Sequence, residues 1–364
     1  MKKILVISRD YSPLSGGAAV YIYSILKKTK KNEYLVLANL AKLSFLRHIK
    51  NPKNVRMEYC HLPRIRYLNA FLFSIYTFFS SLRMEFDCIV GNDLVGSITA
   101  LFIRFVKRKP LVSIIHNVMY EGKQKSIRRS LLKIIFNSSS VIIINGKKLE
   151  NDIYKIFGDC YKHKIVKITP GVEIPPFEKL DSPDKPIILF VGAIYGHKKG
   201  IEYIIGAFPE VVKAFDSELW IVGSSKNDNF YNYLKRLAKT LKVKGNVKFL
   251  GRVDNVFSYY DVCEVFVLAS YSESETFGIP CIEASAMGKP LVATDILEKT
   301  GAVIDGKTGI VVPRENSKKL AEAIIKLLKD KKLRKKLGKN GKKYAKQFSW
   351  NRSAKKFEDV IERL

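Results

Sequence analysis

Short runs of Val, Ile and Leu, apolar at every position and not only at alternate ones, recur along this chain with longer helical patterns between them. Candidate strands are 4–8, 34–38, 88–90, 111–115 and 141–145, then 187–191, 218–222, 247–250, 265–269 and 290–293. A strand apolar on both sides must be covered on both sides, and helices between such strands mean parallel sheets built from right-handed crossovers. The fold class is therefore α/β, with two doubly wound, Rossmann-like domains facing a central cleft at the carboxyl ends of their strands. Residues 169–186, with five prolines and no periodicity, separate the two sets as a linker. This puts one domain at 1–175 and the other at 176–349, with a terminal helix over 350–364 packing back on the first.

With 47% hydrophobic and 27% charged residues, the 364-residue chain can bury two cores and is not a disordered polymer. Cys60, Cys88, Cys160, Cys263 and Cys281 are scattered, with no Cys-x-x-Cys pair. That argues against disulfides and zinc and for a reducing, cytoplasmic setting. The apolar run at 4–7 is too short for a signal peptide and reads as a strand. The uncharged stretch 67–82 falls short of the ~20 residues that span a bilayer. It reads as a buried helix, with Phe71, Phe78 and Phe79 in the core. From Ser317 the chain is helical and basic, with Leu320, Ile324, Leu327 and Leu328 on one face and Gly338 and Gly341 interrupting it.

The chemistry concentrates in 270–290. Glu275 and Glu283 stand seven residues apart, with Phe277-Gly278 and then Pro280 between them. Proline suits a first helical turn, so 280–287 reads as a short helix and 276–279 as the loop feeding it. Gly278 permits close approach of the backbone to a ligand. Amides at a helix amino terminus form an anion site fit for a diphosphate. Glu283, in the first turn, offers an acceptor-only carboxylate to paired sugar hydroxyls. Glutamates at this spacing are ordinarily solvated surface charges. The strand ending at Ser270 and the Met-Gly-Lys-Pro turn at 287–290 set this pair apart.

In these residues the chain resembles the retaining GT-B glycosyltransferases of family 4, whose signature is Glu-x7-Glu, and the likeness runs over nearly its whole length. Phe190-Val-Gly-Ala-Ile-Tyr-Gly-His-Lys-Lys-Gly200 resembles the family's Gly-Arg…Lys-Gly motif, and 247–253 its nucleotide-base loop. The segment 305–313 resembles its Asp-Gly-x-x-Gly turn, Pro13–Gly17 its glycine-rich loop and His116 its donor-side histidine. The resemblance implies transfer of a hexose from a nucleoside-diphosphate sugar to a glycan or lipid-linked acceptor, with retention and without a metal or other cofactor. It implies Glu275, His116 and Lys199 as catalytic residues. Gly16, Gly17, Lys198, Arg252, Val253, Phe277, Gly278, Ile279 and Glu283 would bind the donor. Glu283 would hold the ribose hydroxyls, Lys199 the diphosphate, and Arg252 and Val253 the base. An ammonium and a helix amino terminus can take a metal's place at the leaving group, and no Asp-x-Asp pair marks a metal site.

The chain also departs from the family pattern. Ala193 stands where the family has arginine, and Lys198 is no bidentate substitute for one. Leu297, Glu298 and Gly301 replace its Gly-Gly and Glu, and Pro170 and Ala269 depart as well. These changes sustain a rival reading, a catalytically impaired sugar-nucleotide-binding partner subunit.

The net charge of +30 points to an anionic partner or to a solubilising lysine bias. Residues 123–136 interleave cations with Ile127, Leu131, Leu132, Ile134 and Ile135, the pattern of a helix lying on anionic lipid. Arg104, Lys107, Arg108 and Lys109 are near in sequence, so an anionic membrane surface is an expected partner. Nucleic acid is not, since neither a stacking platform nor a recognition helix is evident.

Overall fold

The computed structural model describes residues 1–12, 16–39, 50–60, 62, 66–119, 125–181, 184–194, 196–225 and 228–364. Pro13–Ser15 of the glycine-rich loop and residues 123–124 of the basic helix lie outside these. The chain divides into two compact units, Met1–Gly171 with Ser349–Leu364, and Val172–Phe348.

The first unit opens with β1 (Lys3–Ser8), α1 (Gly17–Leu26), β2 (Glu33–Asn39), β3 (Val55–Cys60) and α2 (Arg66–Leu82). It continues through β4 (Cys88–Asn92), α3 (Asp93–Lys107), β5 (Leu111–Ile115), α4 (Lys125–Ser138), β6 (Val141–Ile144), α5 (Lys147–Phe157) and β7 (Ile165–Lys167). The second unit begins β8 (Ile187–Val191), α6 (Ile201–Ala214), β9 (Glu218–Val222), α7 (Asp228–Thr240), β10 (Val247–Gly251) and α8 (Phe257–Val262). After them come β11 (Val265–Leu268), α9 (Ile279–Ala286), β12 (Leu291–Thr294), α10 (Asp295–Thr300), β13 (Gly309–Val312), α11 (Ser317–Lys329) and α12 (Lys331–Ala345). The last helix, α13 (Trp350–Glu362), returns to the first unit.

Both sheets are parallel, ordered β3-β2-β1-β4-β5-β6-β7 and β10-β9-β8-β11-β12-β13. Each order reverses beside its first strand, between β1 and β4 and between β8 and β11. Connections leaving such a pair diverge to opposite faces and leave a crevice at the carboxyl ends. The central strands are the apolar runs, and β1, β4, β5, β8 and β11 are almost wholly buried. Three strands were not expected, β3, β7 and β13, and all three are sheet edges. At β3 the edge tolerates charges such as Arg56 and Glu58, β7 is only three residues long, and β13 is a short apolar run, Gly309–Val312.

The linker is not free. Val172 N donates to Phe348 O at 3.2 Å, Asn255 Nδ2 to Pro176 O at 2.9 Å, and Phe177 packs on the second core. The second unit therefore starts at Val172, ahead of residue 176. Helix α13 packs against the first unit through Trp350, Phe357 and Ile361. Its Glu358 Oε1 accepts from the Lys30 and Lys31 amides at 2.8 and 2.6 Å, and Lys2 Nζ donates to Ile361 O at 3.1 Å.

Two expectations fail. Helix α2 is not a buried helix: Phe71 and Phe79, expected in the core, are 63% and 62% exposed, and Phe78 is half-buried. Among the described side chains of α2, Phe73, Thr77 and Ser81 are the ones fully enclosed, because α2 lies on the outside of the sheet and turns one face to it. Gly338 and Gly341 do not interrupt the tail either, since both lie inside α12. A Cβ at 338 would stand 2.0 Å from Gly288 O, so glycine is what lets α12 settle onto the turn after α9.

Gly338→Ala separates local propensity from packing. Helix propensity alone stabilises alanine there by about 1 kcal/mol, whereas a backbone clash of this depth costs about 1–3 kcal/mol or more. We expect the melting temperature of the second unit to fall; a rise would show that α12 is not held to that turn.

Candidate active site

In the second unit the segments after β8 and β11 meet. Beyond Val191, the amides of Gly192 and Ile194 continue the pairing to Val222 O and Ser224 O. The chain then runs through Gly196 and a single 3-10 turn, His197–Lys199, to Gly200 at φ +64°. A Cβ at 200 would lie 2.1 Å from Ala269 O, so the two segments touch there, and Tyr271 N donates to Lys198 O at 3.3 Å. Lys199 Nζ thereby reaches Glu275 Oε2 at 2.5 Å, and Ser270 Oγ donates to the same oxygen at 3.0 Å. Burial opposes the charge on Glu275. The Lys199 ammonium, with hydrogen bonds from Lys199, Ser270 and the Phe277 amide, outweighs it and holds the carboxyl below its ordinary value.

Gly278, at φ +85°, caps α9, and a Cβ there would meet Leu297 Cδ2 at 2.6 Å. Glycine at 278 is thus required by the fold before any ligand is considered. Helix α9 starts at Ile279, with Pro280 second, so Glu283 is its fifth residue and lies beyond the first turn. Tyr260 Oη donates to Glu283 Oε2 at 3.0 Å, while burial pushes this carboxyl up. The Cys281 thiol, buried in α9 between Glu275 and Glu283 in sequence, is raised chiefly by burial.

The remaining residues expected here separate. Lys198 and Arg252 are exposed, and Val253 is half-buried. Arg252 and Val253 follow β10, three strand spacings from β11 or about 14 Å across the sheet. The Phe277 ring packs on Phe348, with ring centroids 5.6 Å apart, and Ile279 lies against the core, so both contribute backbone to the site. Ser270, Tyr260 and Arg314 went unrecognised in the sequence. Ser270 could have been found as the first polar residue after an apolar strand. Tyr260 and Arg314 carry no local signal. Arg314 ties the loop to α10, with Nη1 2.8 Å from Glu273 Oε1 and Nε 2.9 Å from Asp295 Oδ1. Among the described residues, no three His, Cys, Asp or Glu side chains gather as metal ligands.

The first unit places a polar cluster at its own crevice. Gly96 lets α3 press onto the end of β1, since a Cβ there would be 2.5 Å from Ile7 O. Asn92 Nδ2 donates to Ser8 Oγ at 2.8 Å and to Ala18 O at 3.3 Å. Its Oδ1 is therefore the atom facing His116 Nε2 at 2.8 Å, and a carbonyl oxygen can only accept. This fixes the proton on Nε2 and leaves Nδ1 as an acceptor. Burial, with Tyr21 edge-on at 5.2 Å, lowers the His116 pKa to about 4 and keeps the ring neutral. Asp93, which the sequence reading did not single out, stands at φ +67° and accepts from Gly96 N at 2.9 Å. Gly16 and Gly17 begin α1 with open space where a Cβ would go, so internal packing does not explain glycine at either position.

His116 makes stability depend on pH. Unfolded, it takes a proton near 6.5; folded, only near 4, so the folded state binds fewer protons between those values. Its contribution is whole above pH 6.5 and lost as pH falls toward 4, by at most about 3 kcal/mol. His116→Gln should flatten the melting temperature of the first unit across that window; an unchanged slope would mean His116 is not its source.

Two family models match the chain: Glycosyltransferase Family 4 over residues 15–174 and Glycosyl transferases group 1 over 174–344. An uncharacterized glycosyltransferase of Methanocaldococcus jannaschii is 26% identical over 100% of this chain and 98% of its own. Sucrose-phosphate synthase from Thermosynechococcus elongatus has the same fold, with a TM-score of 0.87 at 20% identity over 100% and 99% of the two chains. So has Anabaena HepE, solved in complex with UDP and glucose, with a TM-score of 0.82 at 19% identity over 100% of both chains. With paired Rossmann-like units of the GT-B type and these matches along its length, the chain belongs to glycosyltransferase family 4.

Proposed function

We propose that this glycosyltransferase moves a hexose from a nucleoside-diphosphate sugar to a glycan or lipid-linked acceptor, with retention and with no metal ion at the diphosphate. The observation that supports it most is the Lys199–Glu275 pair in the crevice of the second sheet, beside the opening of α9. In the free enzyme Lys199 neutralises Glu275. An arriving diphosphate takes Lys199 as its counter-ion, and the amides of Gly278 and Ile279 at the α9 amino terminus add donors. As the bond to the sugar breaks, charge grows on the departing phosphate, and a fixed ammonium with aligned amides lowers that barrier.

Glu275, released from Lys199, then accepts hydrogen bonds from hydroxyls of the sugar. Glu283 takes the ribose hydroxyls, and Arg252 with Val253 lines the base. The bare backbone at Gly16 and Gly17 suits close approach to the donor, and His116 Nδ1 suits a sugar hydroxyl as its donor partner. The UDP and glucose bound by HepE make UDP-hexoses the first donors to try.

Removing Lys199 alone would strand the charge of Glu275, so the cleaner variant is Lys199→Met with Glu275→Gln. Transfer should fall about 10²- to 10³-fold, with a smaller change in UDP affinity, whereas Glu283→Gln should lower the thermal shift that UDP produces. Product anomers read by NMR should keep the configuration of the donor, with or without chelator. Parent-like transfer by both variants would overturn the site. UDP binding by the parent without any transfer would make the chain a sugar-nucleotide-binding partner instead.

A further inference from the structure

The outward surface of the first unit is unusually apolar. Helices α2, α3 and α4 lie side by side, joined in part by the Ser74–Thr99 hydroxyl pair at 2.8 Å. Leu68, Phe71, Ile75, Phe79 and Leu82 follow one another on α2 at intervals of three and four residues, and all are exposed. That spacing makes one continuous stripe. Phe102, Phe105 and Val106 on α3 are 58%, 69% and 56% exposed, and Ile127 and Ile134 extend the surface onto α4. Single exposed apolar residues need no explanation, but a contiguous patch of this kind marks a binding surface.

Charge indicates what covers it. Helices α2 and α4 contain no acid, and the only acid of α3, Asp93, sits at its far end, where its carboxylate accepts from Gly96 N. The carboxyl ends of α2 and α3 come together, as Lys107 Nζ donates to Leu82 O at 2.8 Å. Arg83, Arg104, Lys107, Arg108 and Lys109 gather at that end beside Phe79, Phe105 and Val106. Among the described residues that follow α2, the acids are Glu85 and Asp87, and Asp87 is taken by the Lys3 amide at 2.9 Å. Exposed phenylalanines beside cations match a bilayer with anionic headgroups, the cations at the phosphates and the rings at the acyl boundary. No helix among the described residues is long and apolar enough to cross a membrane. We propose that the α2–α3–α4 face of the first unit lies on an anionic membrane surface, with Phe71, Phe79, Phe102 and Phe105 inserted at the headgroup level. This differs from the lipid contact expected of the basic helix alone, because α2 and α3 supply most of the inserted area. The inference does not depend on the transfer reaction.

The test is flotation of the full chain with phosphatidylcholine vesicles, with and without phosphatidylglycerol. The chain should float with the phosphatidylglycerol vesicles only. Phe71→Ser with Phe105→Ser should cut the bound fraction by on the order of tenfold or more. Arg83→Glu with Arg108→Asn should do likewise, asparagine being chosen because residue 108 sits at φ +53°. Melting temperature and the UDP-induced shift should stay at parent values, which separates loss of docking from loss of fold or of the donor site. Failure of the parent to float with either vesicle, or undiminished flotation of the serine variant, would overturn the proposal. So would a parent dimer that the serine variant splits, since the face would then belong to a second copy of the chain.

Discussion

Lys199 meets Glu275 because the residue after it is a glycine. At position 200 the backbone takes φ +64°, and any Cβ would fall 2.1 Å from Ala269 O. An L-residue there would bring both left-handed strain and a collision with backbone that has nowhere to go. Either would part the segments after β8 and β11, and the ion pair spans that junction. Without the ammonium, burial, which favours the protonated form, is opposed only by the hydrogen bonds from Ser270 and the Phe277 amide. One backbone position thus decides the geometry of the crevice and the charge it carries. The other glycines of the second unit divide the same work. Gly278 turns the chain into α9 beneath Leu297, and Gly338 lets α12 hold the far side of α9 in place.

What could be read from the residues follows from what each pattern measures. A run apolar at every position reports a strand covered on both faces, so the central strands were evident, whereas the charged edge strand β3 and the short β7 and β13 were not. Apolar content reports the capacity to be buried and not burial itself. The uncharged stretch of α2 therefore reads as core, although only one of its faces meets the sheet. Gly338 and Gly341 look like helix breakers because sequence carries local propensity, while the turn they accommodate lies some fifty residues away. In the site, Glu275, Glu283, Gly278 and Pro280 are close in sequence and were legible as a group. Tyr260 and Arg314 reach it from other elements, and no spacing connects them to it.

The two glutamates of the signature show why residue type alone does not assign a role. Both are enclosed, yet their carboxyls are driven in opposite directions. Glu275 has an ammonium, a hydroxyl and an amide aimed at it and stays charged. Glu283 has one tyrosine hydroxyl, and its burial dominates. A carboxylate with a mobile cationic partner can exchange that partner for ligand groups, so Glu275 suits the end of the donor where charge moves. A carboxyl held by one neutral donor makes directional hydrogen bonds, which suits paired hydroxyls that do not react.

A similar contrast separates the crevices of the two units. In the first, Ser8, Asn92 and His116 form a chain of neutral hydrogen bonds, and burial keeps the imidazole uncharged well below neutral pH. In the second, the closest contact is an ion pair. A neutral acceptor whose tautomer is fixed can orient a hydroxyl without attracting phosphate, whereas a paired ammonium is of little use to a hydroxyl and of great use to a leaving diphosphate. The same architecture, repeated with different residues at the carboxyl ends of its strands, would in the proposed reaction supply orientation in one unit and charge stabilisation in the other. Arginine is absent at 193, and Arg314 is already engaged by Glu273 and Asp295. In the proposed reaction, charge stabilisation in the second crevice would therefore fall on Lys199 together with the amides at the opening of α9.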